Sequence, residues 1–349
     1  MIGQYGFHCR QNFVMIKEIV AAVVNQIGLL DAYTYVRRNI TKSHIVIVMY
    51  HRISPKKDSW SSGSVSPESY ERSIEYFYRH YEIIPLKKLA EDISQKNHLP
   101  PKGIVLTFDD GYKDNYLYAY PILKKYGIPA TMFLTTGPIG TGNLFWWDKV
   151  SYVVHHTIAD QIDMSEMGYI STKSPLAKTQ SSALIVEKLM TMPEEKKQSV
   201  IKNLIDSSGV EFPTDLGREL LLSWDEVREM SNNGIEFGAH SVNHPILTKL
   251  PLEEAKREII QSKKDVENNI GKQVFSFCYP NGNFNYEIVK FIKYCGFVCA
   301  VSGPIFEVST FENSPYTLSR MEMVEDFNKF KVMFCGLWGD YRRVIRLGR

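Results

Sequence analysis

The sequence predicts an α/β fold in which a parallel sheet closes into a barrel with its helices outside. Short apolar runs rich in β-branched residues alternate with helical segments at least six times, which is typical of a parallel sheet. The polar side chains that could take part in catalysis directly follow these runs, as active-site residues do at the carboxyl ends of barrel strands. We therefore expect a closed barrel rather than an open sheet.

The individual elements follow from apolar runs and from capping residues. Ser66 and Pro67 are a cap and a first-turn proline, and Ser223 with Glu226 forms a capping box, so each pair begins a helix. The predicted strands are 45–50, 103–108, 130–134, 235–239, 274–279, 297–301 and 316–321. The predicted helices are 67–81, 85–94, 115–126, 224–233, 252–269 and 286–295.

Residues 137–222 differ in character from the alternating pattern around them. Glycines and polar turns lead into Phe145, Trp146 and Trp147, and then into helical segments rich in Lys, Glu and Gln. We interpret 137–222 as an insertion in a barrel that spans 45–325. Residues 1–44 are then a lead-in, and 326–349 are a basic C-terminal tail.

Composition limits the function classes. The chain has 349 residues, 44% hydrophobic and 23% charged, and a formal net charge of +2, so no nucleic-acid partner is expected. The five cysteines are scattered and form no Cys-x-x-Cys motif. They are predicted to be free thiols, which favours a reducing compartment.

The N-terminal segment predicts an amphipathic helix. Apolar residues recur at helical spacing over 13–30, but Lys17, Glu18 and Asn25 make this stretch a poor membrane span. Packing on the body of the protein is one use, and peripheral membrane contact is the alternative. Since no secretory signal precedes it, we expect a cytoplasmic protein, with the inner membrane face as a further option.

Two adjacent acids end the run 103–108. Neighbouring residues on a strand point to opposite faces, so Asp109 and Asp110 are able to take different roles, one as a cation ligand and one as a base. Gly111 permits a tight turn after them. A helix N-cap is the simpler interpretation, but it accounts for one acid and not for two.

A histidine pair follows the run 235–239. His240 and His244 are four residues apart, so they are able to share one ligand face when the backbone turns helically. Neutral imidazoles suit zinc and similar divalent ions, and a carboxylate from Asp110 would complete a set that leaves room for water and substrate. Their meeting depends on the fold, because 130 residues separate Asp110 from His240.

Together the two motifs, Thr107-Phe108-Asp109-Asp110-Gly111 and His240-Ser241-x-x-His244, resemble the polysaccharide deacetylases of the NodB-homology class, carbohydrate esterase family 4. The resemblance covers roughly 45–325. It implies a distorted (β/α) barrel of about seven parallel strands that removes N-acetyl groups from glycans. It also implies Asp109 as catalytic base, and Asp110, His240 and His244 as ligands of one divalent metal, zinc with cobalt or nickel as alternatives.

Other family motifs depart from this pattern. The segment 278–282 resembles the family's Arg-x-Pro-x-Gly-like motif, but Cys278 replaces the arginine that orients the base, and Arg320 is the candidate substitute. The resemblance places the backbone oxyanion donor on Asn281. No histidine follows His244, whereas Tyr50-His51 resembles the permuted motif of the poly-N-acetylglucosamine deacetylase-like branch, which makes His51 the predicted acid.

Aromatic residues complete the prediction. Trp147 and Tyr279 are candidates for a sugar cleft, although large aromatic residues are often core, and Asp148 is read as a helix cap. Two other function classes stay open: an esterase that removes O-acetyl groups, and a non-catalytic glycan-binding relative.

Overall fold

A computed structural model describes residues 45–55, 64–164, 168–304 and 314–334. Its centre is a closed barrel of seven parallel strands, which confirms the predicted fold class. The barrel strands are β1 (Ile45–Tyr50), β2 (Gly103–Phe108), β3 (Thr131–Leu134), β4 (Glu236–Ala239), β5 (Ser276–Cys278), β6 (Cys299–Pro304) and β7 (Leu318–Glu322). Each strand pairs with the next in the chain, and β7 pairs with β1.

The barrel strands are buried on both faces, and their side chains alternate between two apolar clusters. Ile45, Ile47 and Val105 belong to a cluster inside the barrel, whereas Val46 and Val48 belong to the larger cluster under the helices. A strand covered on both sides reads as a continuous apolar run, which explains why β1 and β2 were predictable from composition alone.

Helices cover the barrel between strands. They are α1 (Pro67–His80), α2 (Leu86–Gln95), α3 (Tyr120–Tyr126), α4 (Trp146–His156), α5 (Pro175–Thr191), α6 (Glu194–Ser208), α7 (Leu216–Leu220), α8 (Trp224–Asn232), α9 (Leu252–Ile270), α10 (Tyr286–Tyr294) and α11 (Phe327–Phe334). Ser66 caps α1, and Ser223 with Glu226 forms the predicted capping box of α8.

Some strand boundaries differ from the prediction. The strand predicted at 274–279 is restricted to Ser276–Cys278, and the one predicted at 297–301 runs over Cys299–Pro304 with a register shift between Val301 and Pro304. Short strands were not predicted at Arg52–Ile53 and Ser64–Val65, which pair with each other, or at Glu82–Ile83, which pairs with the start of β2.

Helices α4 to α7 lie within 137–222. An antiparallel hairpin, Gln161–Asp163 with Tyr169–Ser171, accompanies them and was not predicted. This part of the chain has its own apolar cluster, which includes Val150 and Val153 of α4, Ile185 and Leu189 of α5, and Ile201 of α6. A separate apolar cluster is what an inserted unit requires to fold against a barrel.

Several predictions concern the termini and the thiols. The amphipathic helix at 13–30 and the arginines after 334 lie outside the described residues. Helix α11 falls within 326–349, and its Phe330 is buried in the barrel's outer cluster, so the start of the predicted tail packs on the body. Cys278, Cys295 and Cys299 are free thiols. Within the described ranges, no helix combines the length and the apolar character that crossing a bilayer requires.

Candidate active site and metal centre

The acid doublet lies at the carboxyl end of β2. Val105 points into the barrel and Thr107 bonds the interior Arg320, so alternation directs Asp109 inward as well. Asp110 has φ +75° and Gly111 φ +88°, so the chain turns sharply there. A Cβ at Gly111 would lie 2.9 Å from side-chain carbons of Leu134 and Ile139, which restricts the position to glycine.

The side chain of Arg320, on β7, binds the carboxylate of Asp109 inside the barrel. Its two terminal nitrogens donate to the two carboxylate oxygens at 2.7 and 2.6 Å, and both side chains are buried. Burial alone would raise the pKa of Asp109, but the charge and hydrogen bonds of Arg320 outweigh it and lower that pKa below its usual range. The structure thus places the predicted orienting arginine in bidentate contact with the predicted base.

Cys278 occupies the β5 position where the family has arginine. Its Sγ lies 3.0 Å from a terminal nitrogen of Arg320 and 3.5 Å from Asp109 Oδ2. Burial raises the pKa of this thiol well above its usual value, even though Arg320 opposes the shift. The small thiol of Cys278 therefore stays neutral, and it leaves space for the guanidinium of Arg320, which extends from β7.

The histidine motif follows β4 and is held by its own loop. His240 donates from Nδ1 to the carbonyl of Cys278 at 2.8 Å, which leaves Nε2 with the lone pair. The backbone N–H of His244 donates to Ser241 Oγ at 3.0 Å, which fixes the loop between the two histidines. Glu258 accepts both the N–H of Val242 and the N–H of Asn243, so a helix α9 carboxylate fixes the turn between the histidines.

Three donor atoms converge where the two motifs meet. His240 Nε2 and His244 Nε2 lie 3.1 Å apart, and each lies 3.6 Å from Asp110 Oδ1. A tetrahedral ion with bonds of about 2.1 Å would set its ligands about 3.4 Å apart. The observed triangle therefore has the size that a bound divalent ion needs.

The protonation of these groups also fits a cation. Asp110 Oδ1 is buried and has no hydrogen-bond partner among the described residues, and burial raises the pKa of Asp110. Burial lowers the pKa of His244 well below its usual value, which keeps the ring in the neutral form that binds metals. His240 Nε2, which carries a lone pair, lies 3.6 Å from the unpartnered Asp110 Oδ1, and a cation bound beside both atoms would satisfy both.

A second group, Asp109 with His240 and Cys278, also lies within ligand distance. Both oxygens of Asp109 are already bonded to Arg320, and the thiol of Cys278 is held neutral by burial. A metal ligand has to be a thiolate, so this group is the poorer cation site. The trio that contains Asp110 is the better match.

His51 follows β1 and faces Asp109 across the barrel mouth. Its Nε2 lies 4.0 Å from Asp109 Oδ2, and its Nδ1 lies 3.8 Å from Glu322 Oε1 at the end of β7. The side chain is 31% exposed, so it is not a satisfied core histidine. Sequence reasoning missed Glu322, because only the closure of β7 onto β1 brings the two residues together.

The remaining predicted residues line a cavity of about 670 Å³ that contains the donor trio. Trp147 packs edge-to-face on His244 with 4.9 Å between ring centroids, and Tyr279 donates its hydroxyl to the carbonyl of Tyr316. Asn281 has φ +53° in the turn after β5. All three line the cavity, as do the predicted base, acid, metal ligands and orienting arginine.

A family model for polysaccharide deacetylase matches residues 96–300, which is more than half of the chain and includes both motifs. The chain belongs to the polysaccharide deacetylase family. The resemblance noted from the sequence is thereby confirmed at the level of the family.

Individual relatives of this deacetylase family member agree with the assignment. It is 24% identical to YxkH of Bacillus subtilis over 73% of this chain and 63% of the relative. It is 37% identical to a poly-β-1,6-N-acetyl-D-glucosamine N-deacetylase of Staphylococcus aureus, over 25% of this chain and 30% of the relative. The matches thus span less than two thirds of either relative.

Solved structures show the same fold. The chain resembles the deacetylase PplD of Streptococcus pyogenes with a TM-score of 0.56 and 19% identity, over 85% of this chain and 99% of the other. It resembles IcaB from Ammonifex degensii with a TM-score of 0.54 and 16% identity, over 84% of this chain and 97% of the other.

One feature of this family member's site was misread from the sequence. Asp148 was predicted to cap a helix, but α4 begins at Trp146 and the Asp148 side chain caps nothing. Its carboxylate accepts a hydrogen bond from the hydroxyl of Tyr112, which itself accepts one from Trp147 Nε1. These buried hydrogen bonds fix the indole of Trp147, which packs on His244. They also join residues 137–222 to the turn that follows β2.

Replacing His51 by glutamine should lower turnover by roughly 10²–10⁴-fold, the usual contribution of a general acid, with little change in stability because the side chain is partly exposed. Steady-state kinetics on an N-acetylated oligosaccharide and thermal unfolding measure both effects. His98→Gln, an exposed histidine in a loop, is the matched control and should resemble the wild type. Near-normal turnover in the His51 variant would remove its assignment as the acid.

Asp148 predicts a pH-dependent stability. Burial raises its pKa from the ordinary value of 3.8 to about 7, against the opposing effects of Arg52 and Tyr112. Between these pH values the folded protein keeps a proton that the unfolded chain has lost, so the free energy of unfolding falls as the pH rises from about 4 to about 7. At 1.36 kcal/mol per pKa unit, the loss is roughly 4 kcal/mol.

Asp148→Asn should remove this dependence. In metal-free protein, urea unfolding should show the variant close to wild type near pH 4.5 and more stable than wild type at pH 8. Asp225→Asn, at a side chain that is 90% exposed, should shift neither end. A difference between wild type and Asp148→Asn that is the same at both pH values would contradict the raised pKa.

Proposed function

We propose that the protein is a metal-dependent hydrolase that removes N-acetyl groups from a glycan. The observation that carries the proposal is the adjacency of two arrangements at one barrel end. One is a carboxylate that is held by a buried guanidinium and is able to act as a base. The other is a trio of cation donors, Asp110, His240 and His244. Family membership supports the hydrolytic class, and the name of the staphylococcal relative supports an N-acetylated glycan.

Asp110, His240 and His244 would hold the divalent ion. The ion would polarise the acetyl carbonyl and lower the pKa of a bound water. Zinc suits this nitrogen and oxygen donor set, with cobalt and nickel as alternatives.

The chain's own residues would move the protons. Asp109, immobilised by Arg320, would accept a proton from the attacking water. His51 would donate a proton from Nε2, its atom nearer Asp109, to the leaving amine. The backbone N–H of Asn281 would stabilise the oxygen charge that develops on the substrate.

A substrate panel tests the proposal. Chelator-treated full-length protein would be assayed for acetate release from N-acetylglucosamine oligomers with β-1,6 or β-1,4 links, from peptidoglycan fragments and from an O-acetylated sugar, with zinc, cobalt or nickel added back. We expect release from an N-acetylated glycan that depends on added metal. Faster release from the O-acetyl sugar would favour the esterase, and no release from any substrate would favour a non-catalytic glycan-binding protein.

Cellular location and membrane contact through residues 13–30 stay predictions, because those residues lie outside the described part of the chain.

A further inference from the structure

The chain after the acid doublet binds the backbone around His51. The side-chain amide of Asn115 donates from Nδ2 to the carbonyl of His51 at 3.0 Å. Its neighbour Asp114 accepts the Nε–H of Arg52 at 2.7 Å and the backbone N–H of Ile53 at 3.2 Å. Three consecutive residues after β1 are therefore bound by two consecutive residues of the connection after β2.

The imidazole of His51 is not held by close polar contacts of its own. Among the described residues, the carboxylates within 4 Å of its ring are Asp109 at 4.0 Å and Glu322 at 3.8 Å, and both distances exceed that of a hydrogen bond. The side chain is also 31% exposed, so packing restricts it only in part. The direction of the ring therefore depends on the backbone that carries it, and the Asn115 bond fixes the peptide group that follows His51.

Stability alone does not account for an asparagine at position 115. The side chain is buried, and a carbonyl oxygen only accepts hydrogen bonds, so the amide nitrogen has to face the carbonyl of His51. That orientation leaves Asn115 Oδ1 buried without a hydrogen-bond partner among the described residues. An unpaired buried acceptor costs stability, and an apolar side chain of similar shape would avoid that cost. The polar group is therefore retained for what its nitrogen binds.

The local backbone places this amide where the strand ladder stops. The pairing of β1 with β2 ends one residue before His51, where the N–H of Asp109 donates to the carbonyl of Tyr50 at 2.9 Å. The next carbonyl along β1 is the one that Asn115 binds. Asn115 begins a π-helical turn, Asn115–Ala119, a rare conformation that is frequent at functional sites. The proposed acid is thus joined to the segment that supplies the proposed base.

We propose that Asn115 is a positioning residue for the general acid, because its amide holds the backbone of His51 so that the ring faces the leaving amine. This inference rests on the proposed deacetylase function. Asn115 does not line the cavity, so it acts through His51 and not on the substrate. Its effect is confined to the step in which the proton of His51 Nε2 passes to the amine nitrogen while the bond from that nitrogen to the acetyl carbon breaks.

Two substrates with different leaving groups separate this role from a structural one. The amine of an N-acetyl sugar has to receive a proton as it leaves, whereas 4-nitrophenolate is a stable anion and leaves 4-nitrophenyl acetate without one. A misplaced acid should therefore slow the amide far more than the ester, whereas a damaged structure slows both. The N-acetylated substrate is whichever glycan the wild-type protein deacetylates fastest among β-1,6-linked and β-1,4-linked N-acetylglucosamine oligomers and peptidoglycan fragments.

Asn115→Leu removes the donor and keeps a side chain of similar size. On the N-acetylated glycan its kcat should fall by roughly 10–100-fold, since a misplacement of about 1 Å can cost as much. The midpoint of thermal unfolding should stay close to the wild-type value, because the unpaired Oδ1 is removed together with the bond. Asn115→Ala is a second variant in case the first folds poorly. The matched control is Asn269→Leu in α9, whose amide also donates to a backbone carbonyl, at 2.8 Å, and which does not line the cavity.

For Asn115→Leu, the ratio of kcat on the glycan to kcat on 4-nitrophenyl acetate should fall at least tenfold, and Asn269→Leu should keep the wild-type ratio. A double variant tests the same point on the glycan alone. In protein that already carries His51→Gln, adding Asn115→Leu should slow deacetylation by less than about threefold, because the acid that it positions is gone, whereas independent effects multiply. A folded Asn115→Leu variant with the wild-type ratio, or a double variant in which the two losses multiply, would overturn the inference. A wild-type protein that deacetylates none of the glycans would instead refute the proposed function.

Discussion

Asp109→Asn should lower turnover on an N-acetylated glycan by roughly 10²–10⁴-fold in metal-saturated protein. Asparagine keeps the shape of the side chain, but it cannot accept the proton of the attacking water. Because both oxygens of Asp109 bond Arg320 and neither belongs to the donor trio, metal content should remain at the wild-type level. Acetate release and elemental analysis on the same sample measure the two quantities.

The adjacent acid provides the contrast. Asp110→Asn should lose metal and turnover together, because it weakens one of three donors of the proposed ion. Assays for both variants should be run well below their unfolding temperatures, since the Asp109 variant also leaves Arg320 with a weaker partner. Metal-replete Asp109→Asn with near-wild-type turnover would show that Asp109 is not the base.

Arg320→Met should lower the free energy of unfolding by about 3–5 kcal/mol. The guanidinium is buried and holds both oxygens of a buried carboxylate, so its removal leaves Asp109 charged without its partner. Turnover should fall as well, because the base is no longer oriented. Urea unfolding gives the stability, and kcat gives the catalytic effect.

A double-mutant cycle separates this pair from ordinary packing. Replacing both partners of a buried ion pair is far less damaging than removing one, so Asp109→Asn with Arg320→Met should be more stable than the sum of the single effects predicts. Lys125→Met is the control, because Lys125 and Glu71 lie equally close at 2.7 Å but are 59% and 39% exposed. It should change stability by less than about 1 kcal/mol. Additive effects at Asp109 and Arg320 would contradict a coupled pair.

The barrel was predictable because its strands are buried on both faces. β1 and β2 are six-residue runs without a charged residue, and their predicted and observed bounds coincide. The bounds of β5 and β6 were less predictable. At β5 the apolar pattern extends past the hydrogen-bonded ladder, and β4 meets β5 at a single register pair, Ala239 with Phe277. At β6 the strand begins and ends later than the apolar run 297–301, since it continues through Ser302 and Gly303 to Pro304. Apolar composition shows that a segment is buried, but it does not show where its ladder begins.

The hairpin within residues 137–222 was not predicted, for a different reason. Each strand of the hairpin has three residues with one buried side chain, Ile162 or Ile170, between exposed neighbours. So short an alternation cannot be told from a polar loop. The relay from Trp147 through Tyr112 to Asp148 was missed because it depends on how the insertion packs on the barrel, which no local pattern contains.

Candidate catalytic residues that belong to a short contiguous motif were predictable from the sequence, and those that depend on contacts between distant strands were less so. The doublet Asp109-Asp110 and the pair His240 and His244 are contiguous motifs, so their chemistry is visible in the chain. Arg320 was inferred only because Cys278 left a motif without its arginine. The structure explains that substitution, since β7 directs Arg320 to Asp109 from 211 residues away, beside the small thiol. Glu322, two residues further on β7, carried no motif at all.

Titration of metal-free protein with zinc, followed by acetate release from an N-acetylated glycan, is the most direct test of a single cation held by Asp110, His240 and His244. The rate should rise linearly and reach a plateau at one equivalent of metal per chain, and His244→Gln should reach no comparable plateau. Full activity in protein shown to contain no metal, or an undiminished plateau in the His244 variant, would contradict a site at which these three side chains meet.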